Sequence, residues 1–267
     1  MLKIYKTLLW SNIPIAFDAV GWTGLTFNTL KIEHNYVMFI LAFTFTWLFY
    51  TKDRIEISAS DLLNNPERSE WYATQKHLKT LMLFALVPII ICLLMRSSII
   101  LPCLIAVIPC VVYTKKVTIG KRKFSLKDLP GMKAILVSFL WVVLTVIFPS
   151  FSTHPLLSHK FININLSLMV GWFVMLQIHT NDIRDIEGDT KEHTKSFAVL
   201  LGNKNARFLG VFLIVLGTYF GWGLLNTSML IFFSFILTIR TLFYNKEQDI
   251  YWQAIISSQG LLAYLIL

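Results

Sequence analysis

Nine apolar stretches, most of them near bilayer-crossing length, recur along this 267-residue chain, at about 8–26, 36–51, 78–95, 97–113, 132–150, 162–179, 206–225, 228–244 and 251–267. A spanning helix needs roughly 20 apolar residues. Backbone polar groups in hydrocarbon must be paired within their own segment, so repeated runs of this size predict helices. The second run is short and the third and fourth nearly touch, so the pattern accommodates eight to ten crossings. With 55% hydrophobic residues, 21 Phe and 8 Trp, the chain is too apolar for a soluble domain of this length. The expectation is an all-α, multi-pass transmembrane bundle forming one domain over 1–267.

Charge placement tests this map independently, because cytoplasmic loops of multi-spanning proteins collect Lys and Arg. With a cytoplasmic N-terminus, 21 of the 24 basic residues fall on the cytoplasmic side, leaving Lys31, Arg96 and Lys160 on the other. The expected setting is the cytoplasmic membrane of a bacterium. Orientation and anionic membrane lipid account for the net charge of +9, so no nucleic-acid partner is expected.

Acidic residues are placed more narrowly. Five lie at 53–70 and five at 182–192, ten of the fifteen in two loops that helix parity puts on the same cytoplasmic face. Two such clusters can converge on a central cavity opening to the cytoplasm. In the second, Asp182, Asp185 and Asp189 stand at i, i+3 and i+7, so on one continuous helix they share a face and repel one another. A divalent cation relieves that repulsion. Hard oxygen donors suit Mg²⁺, which typically takes one or two protein carboxylates, waters and substrate phosphate oxygens. Paired with Arg and Lys, the same acids could instead form a solvated surface.

Other residues carry less. Cys92, Cys103 and Cys110 have no metal-ligand spacing and read as packing residues, with no disulfide implied. His179 and His193 flank the aspartates and are expected to be solvated loop residues. No removable signal peptide is expected at the N-terminus, where Asp18 interrupts the apolar run. Asp18 itself lies near the middle of the first span, where a carboxylate is costly and faces a polar interior. General base, general acid and interhelical hydrogen-bond acceptor are its three possible roles.

The stretch Asn181-Asp-Ile-Arg-Asp-Ile-Glu-Gly-Asp189, continuing to Ser196-Phe-Ala-Val-Leu-Leu-Gly202, resembles the second aspartate-rich motif of the UbiA superfamily of intramembrane prenyltransferases. His193 stands where that family commonly has Gly. The first family motif, Asn-Asp-x-x-Asp-x-x-x-Asp, is matched loosely by Lys52-Asp-Arg-Ile-Glu56-Ile-Ser-Ala-Ser60, which keeps Asp53 and Glu56, while Asp61 misses the register by one. Arg68 falls near the arginine that follows the family's first motif. Tyr113-Thr-Lys-Lys116 is similar to the family's Tyr-x-x-x-Lys loop, one residue short.

The resemblance implies Mg²⁺-assisted ionisation of an isoprenyl diphosphate and capture of the prenyl cation by an acceptor in the membrane. The implied metal ligands are Asp182, Asp185 and Asp189, with Asp53 and Glu56 as a weaker second set. Arg68, Lys116 and Lys195 are the candidates for diphosphate oxygens, and Asp185, Asp189 and Asp18 for catalytic groups. The rival readings are a UbiA-type terpene cyclase, a catalytically silent isoprenoid-binding protein and a transporter. Transporters usually bind near the midplane and show repeat symmetry, of which only Asp18 offers a trace.

Overall fold

The computed structural model describes residues 2–95, 100, 117–119, 122–124, 129–153, 163–244, 253–255 and 257–266. The expected fourth span, apart from Ile100, lies outside these residues, as do Cys103, Cys110 and Lys116. The described residues form thirteen α-helices: α1 Leu2–Trp10, α2 Ile13–Leu30, α3 Tyr36–Ile55, α4 Ala59–Asn64, α5 Pro66–Thr74, α6 Leu78–Met95, α7 Met132–Val142, α8 Phe148–Thr153, α9 Ile164–Arg184, α10 Ile186–Lys191, α11 Phe197–Gly221, α12 Thr227–Phe243 and α13 Gln259–Ile266. A π-helical turn at Val143–Ile147 joins α7 to α8. One departure from the all-α expectation is a small antiparallel pair, β1 Val117–Ile119 with β2 Arg122–Phe124.

Loop polar residues set the helix ends. Asn35, Asn163, Ser196 and Asn226 each accept a hydrogen bond from a backbone N–H in the first turn of α3, α9, α11 and α12, satisfying donors the helix leaves unpaired. The first expected span is two helices rather than one. The break falls at Asn12, which has φ 61° and donates to Tyr72 Oη at 2.7 Å and Thr51 Oγ1 at 3.2 Å, tying the break to α5 and α3. Within the long helices Thr23, Thr26, Thr44, Ser138 and Thr145 donate to the carbonyl four residues back, so their hydroxyls are satisfied without water.

Three described helical stretches are long and apolar enough to cross a membrane: Leu78–Met95, Met132–Phe151 and Phe197–Gly221. Large apolar side chains also point outward, among them Phe84, Leu94, Phe208, Phe212 and Phe235. An outer surface of this kind is suited to lipid. The main core gathers Trp22, Phe173, Met169, Leu213 and Phe233, with Trp22 stacked on Phe173 at 6.2 Å between ring centroids. In lipid, helices associate through close packing rather than through the hydrophobic effect, and small residues permit it. At the α2–α13 crossing a Cβ on Gly21 would stand 2.3 Å from the Leu261 backbone nitrogen, and one on Gly260 2.4 Å from the Asp18 carbonyl oxygen.

Candidate active site

The second acidic motif is not one continuous helix. α9 ends at Arg184, Asp185 sits at the junction with φ −95° and ψ 8°, and α10 begins at Ile186. Asp185 N–H still donates to Asn181 O at 3.0 Å and Asp189 N–H to Asp185 O at 2.9 Å, so the chain bends with its hydrogen-bond ladder continuing. Asp182 and Asp189 are buried, and both Asp182 and Asp185 are close enough to Asp189 to influence its protonation.

Each aspartate has a different partner. Asp182 Oδ1 accepts from Lys133 Nζ at 3.0 Å, from the first turn of α7. Asp185 is gripped by its neighbour, both oxygens accepting from Arg184 Nε and Nη2 at 2.7 Å. Asp189 has a side-chain hydrogen bond with Ser196, and its Oδ2 is buried with no hydrogen-bond partner among the described residues. Among the described residues no three His, Cys, Asp or Glu side chains gather closely enough to enclose a metal ion in this conformation. The donor chemistry nevertheless suits Mg²⁺: three carboxylates whose charges reach one another, one with a buried acceptor oxygen that no described residue satisfies.

The electrostatics follow from these neighbours. Burial acts most strongly on Asp185 and pushes its pKa up, but Arg184, Lys133 and Arg68 together hold the carboxyl below its ordinary range. Asp189 is pushed up to about 6. Burial is the largest cause, Lys133 offsets it in part, and the charges of Asp182 and Asp185 add to it. Burial, then the neighbouring Arg54 and Arg184, push the Arg68 guanidinium down to about 10 against the pull of Asp185 and Asp61.

The two acidic loops do meet, through residues other than those singled out from the sequence. Asn64, ending α4, donates Nδ2 to Asp185 O at 3.2 Å and accepts at Oδ1 from Gly188 N at 3.1 Å, bracing the α9–α10 junction on both sides. Gly188 allows this approach, since a Cβ there would stand 2.3 Å from Asn64 Nδ2. Glu192 Oε1 accepts from Ser60 N at 2.8 Å, a second tie between the loops. Arg68 is buried and donates Nη2 to Asp61 Oδ1 at 2.9 Å, and Asp61 also closes a capping box with Ser58. Ser58-x-x-Asp61 is a readable capping-box spacing. Nothing local, by contrast, marks Asn64 or Lys133.

The remaining candidates lie apart. Asp53 and Glu56 are exposed, as is the Lys195 side chain, while the Lys195 carbonyl accepts from Gly131 N at 2.9 Å. His179 is not a solvated loop residue; it lies in α9, fully buried, with Nε2 2.7 Å from Ala206 O. His193 is exposed, as expected, and has φ 58°. Asp18 is fully buried, accepting from Gln177 Nε2 at 3.1 Å and from the Gly260 N–H at the start of α13. Cys92 is a buried free thiol, consistent with packing.

The UbiA prenyltransferase family model matches residues 72–254. No curated protein matches the chain. Among solved structures, a UbiA homolog from Archaeoglobus fulgidus bound to GPP and Mg²⁺ is similar at a TM-score of 0.56 and 14% identity, over 98% of this chain and 99% of that one. A UbiA homolog from the same organism bound to DMAPP and Mg²⁺ gives 0.54 and 14%, over 100% and 99%. At this identity the likeness is one of fold. The family match begins beyond the loop that carries Asp53, Glu56 and Arg68.

Proposed function

Because the chain belongs to the UbiA prenyltransferase family, we propose that it is an intramembrane prenyltransferase that ionises an isoprenyl diphosphate with Mg²⁺ and transfers the prenyl group to an acceptor in the membrane. The observation that carries this reading is the buried, unpartnered Asp189 oxygen beside Asp182 and Asp185. These three side chains would hold Mg²⁺, with Asp53 and Glu56 a weaker, exposed second set. When bound, the cation supplies stabilisation of the negative charge that grows on the departing diphosphate. GPP and DMAPP, the ligands of the two similar structures, are the first substrates to test.

The chain's own cations do the rest of the electrostatic work. Arg68, Lys116 and Lys195 are assigned to diphosphate oxygens, and Lys133, already beside Asp182, is added to them. The allylic C–O bond breaks with its electron pair leaving on the diphosphate. An electron pair from the acceptor then forms the new bond, and the acceptor loses a proton. Apolar and aromatic walls keep water from the prenyl cation in the meantime. Asp18 is assigned to the interhelical role, since its partners are a helix-start N–H and an amide.

The same reading includes nine spans in one domain over 1–267 and a central cavity opening to the cytoplasm. The N-terminus and both acidic loops are cytoplasmic, an orientation supported by 21 of 24 basic residues on that side. The test is incubation of purified protein with Mg²⁺ and GPP or DMAPP, with and without a membrane-soluble aromatic acceptor. A prenylated product that forms only with acceptor is expected. Hydrocarbon or terpene alcohol formed without acceptor identifies a cyclase, and unchanged substrate under every condition overturns the enzymatic reading.

A further inference from the structure

Beside α10 lies a cavity of about 670 Å³, whose lining includes Arg184, Glu187, Lys191, Asn203, Arg207 and Tyr244 and none of the three aspartates. Among the described residues three cations face one acid there. Arg184 already serves Asp185 through two hydrogen bonds, and Lys191 Nζ lies 3.7 Å from Glu187 Oε1. The surplus positive charge therefore falls on Arg207. Among the described residues its guanidinium donates to neutral oxygens, those of Asn203 Oδ1 at 2.8 Å, the Leu242 carbonyl and the Tyr244 carbonyl at 2.9 Å. A half-buried guanidinium that ties α11 to the C-terminal end of α12 through neutral partners is suited to an anion.

The surroundings say which kind of anion. A depression of about 450 Å³ runs along the same α11–α12 seam, walled by Ile214, Tyr219 and Trp222 on one helix and Ile231 and Phe235 on the other. Arg207, Ile214 and Thr218 stand at i, i+7 and i+11, one stripe of α11, so the apolar groove lies roughly 10–16 Å along the helix from the guanidinium. Tyr219, Trp222, Ile231 and Phe235 are all more than half exposed. A cationic pocket at the end of a seam that becomes an apolar groove has the polarity of a phospholipid: charged head at the interface, hydrocarbon chain below.

We propose that this seam binds an anionic phospholipid, its phosphodiester in the Arg207–Lys191 pocket and one acyl chain in the α11–α12 groove. The pocket shares Arg184 with the carboxylate face, but Lys191, Arg207 and the groove belong to it alone, so lipid binding there does not require that the protein transfer prenyl groups. Delipidated full-length protein in detergent is titrated with phosphatidylglycerol, phosphatidylcholine or inorganic phosphate while its thermal midpoint is followed. Phosphatidylglycerol should raise the midpoint in a saturable way, and the other two should not. Removing one cation should weaken phosphatidylglycerol roughly fivefold. Arg207 also ties α11 to α12, so R207Q could destabilise the protein by itself. Among the described residues the Lys191 ion pair, with Glu187, lies within α10, so K191Q should leave the lipid-free midpoint in place and still shift the titration. An equal response to phosphatidylcholine, the full shift from inorganic phosphate alone, or an unaltered phosphatidylglycerol titration in K191Q would each overturn the proposal.

Discussion

Asp189 sits 6% exposed between two other carboxylates, its pKa pushed up to about 6 first by burial and then, against Lys133, by its acidic neighbours. An unfolded aspartate titrates near 3.9. Between roughly pH 4 and 6 the folded protein therefore holds a proton that the unfolded chain has released, so stability present below pH 4 is lost as pH rises through 6. A shift of about 2 units is worth at most ~3 kcal/mol. In chelator, the stability difference between wild type and Asp189→Asn, from denaturant titrations across pH 4–7, should fall in that window; a pH-independent difference would show that the buried carboxyl is not the source. The depressed Asp185 slopes the opposite way, which is why the variant comparison is needed. His193 gives a second prediction at this scale. It closes α10 with φ 58°, its N–H on Thr190 O and the Thr194 N–H on Asp189 O, a left-handed helix end where Gly is the favoured residue. That geometry explains the Gly the family commonly places there. His193→Gly relieves about 1–2 kcal/mol of backbone strain and incurs about 0.5–1 kcal/mol of chain entropy. A net gain near 0.5–1 kcal/mol should appear as a higher thermal midpoint.

Asn64 and Gly188 couple the two acidic loops at the level of elements. Asn64→Ala would leave Gly188 N–H and the Asp185 carbonyl without this partner, at about 1–3 kcal/mol per group where water cannot replace it. Gly188→Ala would push the same contact apart. Both variants should lower Mg²⁺-dependent turnover more than they lower the thermal midpoint, because they displace the α9–α10 junction and leave the apolar core intact. A loss of midpoint with turnover per folded molecule unchanged would make the brace purely structural. The α2–α13 crossing predicts the reverse balance. Asp18→Asn keeps an acceptor for the Gly260 N–H, and the Gln177 amide can turn to meet it, so stability and products should both persist; Asp18→Leu should lower the midpoint. A changed product from a stable Asp18→Asn would return this residue to proton transfer. The sequence resolved these elements unevenly. Apolar run lengths marked several of the described helices, Leu78–Met95 and Thr227–Phe243 among them, to within a residue or two, and the three-aspartate spacing located the cluster. The bend at Asp185 was hidden because the hydrogen-bond ladder continues through it. Lys133 reaches Asp182 across 49 residues of sequence, so no local pattern pairs them. Asn12 broke the first span through contacts with α3 and α5 that hydropathy does not register.

Across the molecule, exposed Phe and Leu side chains cover much of the described outer surface, many helix Ser and Thr hydroxyls are satisfied within their own helix, and a set of ion pairs gathers where α4, α5, α7, α9 and α10 meet. That division follows from the solvent: hydrocarbon tolerates neither open backbone groups nor unpaired charge, so charged side chains concentrate away from the lipid-facing surface. In the present arrangement Lys133 holds one oxygen of Asp182 and Arg184 both oxygens of Asp185, while Asp189 keeps a buried oxygen without a partner among the described residues. On the proposed reading, a cation entering the cluster would draw these bases off their aspartates, and a diphosphate, having several negative oxygens, is the partner best able to take them. Metal and diphosphate should bind cooperatively. The direct test is calorimetric titration of an unreactive isoprenyl thiodiphosphate into purified protein at fixed Mg²⁺ concentrations, compared with the same titration in excess chelator and with Asp185→Asn and Asp189→Asn. Binding that tightens at least tenfold with Mg²⁺ in wild type, and loses that dependence in both variants, is the expected result. Equal affinity in Mg²⁺ and in chelator, or an undiminished Mg²⁺ dependence in both variants, would contradict the assignment of the aspartate cluster to a metal–diphosphate site.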